Sequence, residues 1–159
     1  MPLRKMDTLV IKITDILTIV MMFLLVFMVS FQVLNRFLLH WPAAWTEEMA
    51  RYNFVWVSLL GAVSALHYRR QLSVDILTEN IKSPKFKRML GILAALFVLL
   101  FSFILTRTGW QYTKANFNVN CEFGAFPLGI IYAILPITGL LLIYVSVRQL
   151  IEEFRKAPR

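Results

Sequence analysis

The sequence predicts an all-α membrane protein, with four transmembrane helices in a bundle and a short cytoplasmic amphipathic helix between spans two and three. Three observations predict it. Four long apolar runs, each with an arginine at one edge, occupy most of the 159 residues. A helix of about 20 apolar residues crosses the hydrocarbon core of a bilayer. The composition agrees: 58% of residues are hydrophobic, 16% are charged, and the mean hydropathy is +0.66. Carboxylates and cations border the runs and are missing from within them. One integral membrane domain over 1–159 follows, with spans at roughly 13–38, 47–68, 88–108 and 123–148. Little sequence remains outside them, which excludes an extramembrane ATPase, kinase or DNA-binding module.

Span one holds the run Ile16 to Asn35, between Asp15 and Arg36. It is too long for a signal-peptide core, and no small-x-small cleavage site follows, so it reads as an uncleaved anchor. Its polar residues Ser30, Gln32 and Asn35 gather at one end and are expected to face other helices. Span two, Tyr52 to Tyr68, carries small residues at helical spacing, Ser58 with Ala62 and Gly61 with Ala65. Span three, Met89 to Thr106, has Gly91 with Ala95, and span four, Phe123 to Val147, has Gly129 with Ala133. Such pairs allow close backbone approach and suit a packed bundle. Pro136 removes a backbone donor inside span four, so a kink is expected there. Between spans two and three, Leu72, Ile76 and Ile81 recur at helical spacing among Asp75, Glu79 and Lys82, a pattern for a short helix on the membrane surface that Ser83-Pro84 would stop.

Charge sets the orientation. Arg4, Lys5 and Lys12 precede span one. Arg69, Arg70, Lys82, Lys85, Lys87 and Arg88 join spans two and three, and Arg148, Arg155, Lys156 and Arg159 follow span four. The other two connections hold only Arg36 and Arg51, then Arg107 and Lys114. Positive residues stay inside, so both termini are expected in the cytoplasm. The net charge of +8 is thereby a topology signal and not a nucleic-acid footprint. Trp41, Trp45 and Tyr52, then Trp110 and Tyr112, mark the expected outer boundary, where amphipathic aromatics meet phospholipid headgroups. Trp41 and Trp45 are also candidates for docking an external partner.

One constellation holds dense charge near that boundary. Thr46 is placed to cap span two, with Glu47 and Glu48 at the positive end of the helix dipole. Arg51 is one turn on, and Arg36 ends span one at a similar depth. Arg36, Glu47, Glu48 and Arg51 are expected to form one structural ion network, not a substrate site. A transport site needs polar groups near the midplane and often a broken helix pair. Other chemistry fails on particular residues. His40 and His67 fall on opposite sides, so they cannot clamp a haem, and Ser30, Ser58 and Ser102 lack the partners that a protease needs. Cys121 is single, and no metal-ligand spacing exists. No enzyme activity, cofactor, metal or substrate site is expected. The bulky residues of span one, Phe27 and Phe31 among them, exceed what four spans can surround and are candidates for contact with a second membrane subunit, partly filled by lipid.

Several segments resemble a known family. Val33-Leu34-Asn35-Arg36-Phe37, Trp45-Thr46-Glu47-Glu48-Met49-Ala50-Arg51, Val55-Trp56-Val57-Ser58-Leu59-Leu60-Gly61-Ala62 and Val74-Asp75 are similar to the small membrane subunit of tripartite ATP-independent periplasmic (TRAP) transporters. Gln71 stands near the position where that family often has a histidine. The resemblance implies a bacterial inner-membrane importer of organic anions, with sialic acid and C4-dicarboxylates among the candidates. In it a periplasmic substrate-binding protein captures the anion. A large multi-span permease subunit carries it inward, elevator-fashion, on a sodium gradient. The small subunit enlarges the permease's fixed scaffold and helps dock the binding protein. The alternative from the residues alone is an independent four-span adaptor or self-assembling channel.

Overall fold

The computed structural model describes residues 2–39, 44–78, 84–122, 124 and 126–155. In chain order the helices are α1 (Pro2–Leu34), α2 (Ala44–Thr78), α3 (Pro84–Ala115), the single turn α4 (Leu128–Tyr132) and α5 (Ile134–Arg155). Asn35–Leu39 continues α1 as a short π-helix. Hydrocarbon offers no partner to a backbone N–H or C=O, so an apolar chain inside it must be helical to satisfy itself. Among the described residues, four stretches are long and apolar enough to cross: Leu9–Leu38, Trp45–Tyr68, Met89–Ala115 and Leu128–Ile151. Residues 69–78, expected as part of a separate surface helix, are helical but form the last turns of α2, and Ile81 and Lys82 lie outside the described residues. Pro84 opens α3, where its missing N–H costs nothing.

The four spans pack side by side in the order α1–α2–α5–α3. The most extensive contacts are α3 with α5 and α1 with α2, joined by α2 against α5, whereas α2 touches α3 only slightly. The two ends of this row, α1 and α3, therefore each have one principal neighbour. Ile11 of α1, Val63 of α2 and Leu142 and Val145 of α5 form the apolar core, flanked by Leu66, Leu105 and Leu141.

The α1–α2 seam runs along one stripe of α1. The less exposed residues run from Ile11 and Thr14 through Thr18, Met21, Leu25 and Met28 to Gln32 and Asn35, in alternate steps of three and four. That is the spacing of a left-handed coiled-coil stripe. Of the polar residues expected to turn inward, Asn35 is buried and Gln32 half-buried, while Ser30 is exposed.

The α3–α5 seam is tighter and is built on small residues. A Cβ added to Gly139 would lie 2.9 Å from the Thr106 backbone nitrogen, and one added to Gly109 would lie 2.7 Å from Leu135 Cβ. Neither glycine belongs to the small-residue pairs picked out in the sequence. Of those pairs, Gly129 is in tight contact with Phe117 and Thr113, and Ala95 is buried. Gly61 has only Thr18 nearby, at 4.0 Å, and Ser58, Ala62 and Ala65 are exposed. Ser102, Thr138 and Ser146 are fully buried. Ser102 and Thr106 donate back to carbonyls one turn earlier, at 2.6 and 2.8 Å, which lets hydroxyls sit in an apolar interface.

Candidate functional site: polar fastenings at the ends of α2

Consecutive residues of a helix point about 100° apart, and this separates the two glutamates that open α2. Glu47 stays outside: its carboxylate is 4.0 Å from Arg51 one turn later, with both side chains about two-thirds exposed (66% and 63%). Glu48 turns inward and is 2% exposed. Its Oε1 accepts a hydrogen bond from the Tyr52 hydroxyl (2.5 Å) and another from the backbone N–H of Glu122 (2.9 Å). Arg36, on the π-helical end of α1, is exposed. Of the four charged residues grouped by sequence, Glu47 and Arg51 are in contact, whereas Glu48 ties α2 to the α3–α4 connection. The helix begins at Ala44, so Thr46 lies within its first turn and not at its cap, and is buried. Trp45 is exposed; Trp41 and His40 lie outside the described residues.

The connection that Glu48 holds is compact. Cys121 N–H donates to Phe126 O (3.1 Å) and Leu128 N–H to Val119 O (2.8 Å), with a bridge between Asn120 and Pro127. Gly124 turns the chain at φ +67°, in the left-handed region that favours glycine. Cys121 is a buried free thiol at this turn. Phe117, Val119, Phe126 and Trp110 remain exposed around it, with the Lys114 ammonium 5.3 Å from the Trp110 ring.

The expected irregularity at Pro136 takes the form of a break between α4 and α5 at Ala133. Proline has no N–H, so the Tyr132 carbonyl cannot receive its usual bond from four residues on. Thr113 Oγ1 of α3 lies 3.1 Å from that carbonyl and shares its one proton between it and the Gly109 carbonyl one turn earlier on α3, at 2.8 Å. Trp56 Nε1 of α2 donates to the neighbouring Ile131 carbonyl, also at 3.1 Å. The Tyr112 and Tyr132 rings pack edge to face at 4.8 Å beside them. A broken helix within a membrane is tolerable where neighbouring helices satisfy the backbone in this way.

At the other end of α2, Asp15 of α1 accepts from Ser64 Oγ (2.7 Å) and the Tyr68 hydroxyl (2.5 Å), one oxygen each. Gln149 of α5 donates to Leu66 O at 3.1 Å, and nearer the middle Asn53 donates to Met21 O of α1, also at 3.1 Å. In the sequence Asp15 stands at the border of an apolar run, with no partner indicated nearby. Its partners are about 50 residues away, beyond any local signal. The signal that could have found it is a carboxylate inside the first apolar stretch, which starts at Leu9.

Among the described residues, no three His, Cys, Asp or Glu side chains come together as a metal site would need. The polar groups just described fasten helix to helix, and large apolar faces are left outward. On α1 these include Phe23 (76% exposed), Phe27 (63%) and Phe31 (38%); on α3 they include Phe97, Phe101 and Phe103.

Such a chain, with four helices long and apolar enough to cross a bilayer among its described residues, is an integral membrane protein. It belongs to the family described as tripartite ATP-independent periplasmic transporters, DctQ component, which matches residues 22–156. That family consists of transporter subunits, not enzymes. A TRAP transporter small permease protein of Haemophilus influenzae is 27% identical over 150 residues, covering 94% of this chain and 92% of the relative. The sialic acid TRAP transporter small permease protein SiaQ of Vibrio cholerae is 28% identical over 117 residues, 73% of this chain and 66% of the relative. The sialic acid TRAP transporter permease protein SiaT of Haemophilus influenzae is 28% identical over 114 residues, 71% of this chain but only 18% of that longer protein.

Proposed function

We infer that this chain is the small subunit of a sodium-coupled importer of organic anions in a bacterial inner membrane, with both termini cytoplasmic. Its work is mechanical. It seats against a large multi-span permease subunit and widens the fixed scaffold past which the permease carries its substrate. The observation that carries this reading is the outward face of α1. That helix has α2 as its one principal neighbour, and its Phe23, Phe27 and Phe31 are exposed. The match to part of a much longer permease protein supports a large membrane partner, and the small-permease relative named for sialic acid supports a carboxylate cargo. Phospholipid fills what the permease leaves uncovered. Trp45 and the connection around Cys121 offer the periplasmic binding protein a surface, held firm by Glu48.

Co-purification tests the seat. Phe27→Arg or Phe31→Arg places a cation on the exposed face, at a cost of about 2.5–3.5 kcal/mol at a helix centre. The large subunit should be lost from the purified complex while this chain still inserts. An intact complex with both substitutions would move the interface to another helix.

A further inference from the structure

The α1–α2 seam raises a physical problem. Lipid tails are as apolar as Met21, Leu25 and Met28, so the apolar middle of the seam has little preference for one rotation of the helix over another. The choice falls to its polar groups, with the buried Asn35 toward one end and Asp15 toward the other. Asn53 contributes little to that choice, since its acceptor on α1 is a backbone carbonyl, which every residue of the helix offers. Asp15 differs. Both of its carboxylate oxygens are engaged, by Ser64 and by Tyr68 one turn further along α2. An ionised carboxylate is an acceptor only, and its hydrogen bonds are about twice as strong as neutral ones. A turn of α1 by one residue, about 100°, would pull the carboxylate off both donors and swing it toward lipid.

We propose that Asp15, clasped by Ser64 and Tyr68, is a positioning residue that sets the rotation and height of α1 on α2 and so determines which face α1 turns toward the large permease subunit. The second half rests on the seat argued above.

The test is a distance measurement on the full chain in lipid nanodiscs. Spin labels go at Leu9→Cys and Ala65→Cys, both exposed, in a Cys121→Ser background. The unsubstituted clasp should give one narrow distance distribution. Asp15→Leu should add a displaced population. Each interhelical hydrogen bond lost in a membrane raises that population about threefold on average and roughly eighteenfold at most. Tyr68→Phe removes a single donor from an exposed ring and should shift the distribution the same way by less, which keeps the test alive if Asp15→Leu does not insert. Asp15→Asn keeps one oxygen acceptor and loses the charge, and should fall between the narrow form and Asp15→Leu. Unchanged distributions in both Asp15→Leu and Tyr68→Phe overturn the clasp. A displaced α1 that still co-purifies fully with the permease overturns its link to the partner face. Phe27→Arg in the same co-purification then reports on the seat separately, so the two readings fail independently.

Discussion

Glu47 and Glu48 are neighbours in the chain with opposite fates in the fold, so replacing each by alanine makes a controlled pair. Glu48→Ala removes the acceptor for the Tyr52 hydroxyl and for the Glu122 N–H. A hydrogen bond to a charged group contributes about 1.5–3 kcal/mol. The substitution also relieves the burial of a carboxylate, which offsets part of the loss. The Tyr52 bond lies within α2, so only the Glu122 bond bears on the α3–α4 connection. Losing it is expected to cost that connection about 2 kcal/mol, so that it opens about thirtyfold more often. Glu48→Gln keeps an oxygen acceptor without the charge, and should cost about half as much. Glu47→Ala breaks only an exposed pair within one helix, worth about 0.3–0.5 kcal/mol. Hydrogen–deuterium exchange of the purified protein in nanodiscs reads the difference at the amides of Cys121, Glu122 and Leu128. The expected order of protection is wild type and Glu47→Ala together, then Glu48→Gln, then Glu48→Ala. If Glu48→Ala exchanged no faster than Glu47→Ala, the buried carboxylate would not be what holds this connection, and the argument from its geometry would fail.

Three further outcomes are expected. Gly139→Ala should destabilise the α3–α5 seam by about 1–3 kcal/mol through overpacking against the Thr106 backbone, whereas Gly61→Ala, whose new methyl meets only Thr18 at 4.0 Å, should be nearly silent; thermal unfolding in detergent separates them. Thr113→Val should lose its bond to the Tyr132 carbonyl at a cost of about 0.6–1.7 kcal/mol, and less of that in a Pro136→Ala background, where a helical N–H becomes available to the same carbonyl; a double-mutant cycle measures the coupling, and strict additivity would refute it. In sealed cells, an impermeant thiol reagent should label Asn118→Cys and miss Lys85→Cys; external labelling at position 85 would reverse the topology.

Much of the fold was legible because lipid leaves few alternatives. A run of apolar residues long enough to cross must be helical, and charges must lie at its ends, so composition and spacing were enough to find four spans. The α1 stripe from Ile11 to Asn35 was not legible, because α1 is apolar on every side and only packing against α2 separates these residues from their exposed apolar neighbours. Pro136 announced an irregularity because proline lacks a donor wherever it stands. What the chain could not show was the choice of partners between helices. The opening of α2 displayed two equivalent carboxylates, and only the packed α3–α4 connection turned Glu48 inward while Glu47 stayed with Arg51 in solvent. The small-residue pairs of α2 looked as good as any, yet the close approaches fell to Gly109, Gly129 and Gly139, because α3 packs against α4 and α5 and the Ser58–Ala62–Ala65 face of α2 is turned outward. Asp15 gained a role from Ser64 and Tyr68, and the break before Pro136 became tolerable through Thr113 and Trp56. In a membrane the hydrophobic effect selects helices but barely distinguishes one helix neighbour from another. The sequence by itself therefore determined that four helices cross, and the tertiary structure alone decided their order and which polar atoms meet.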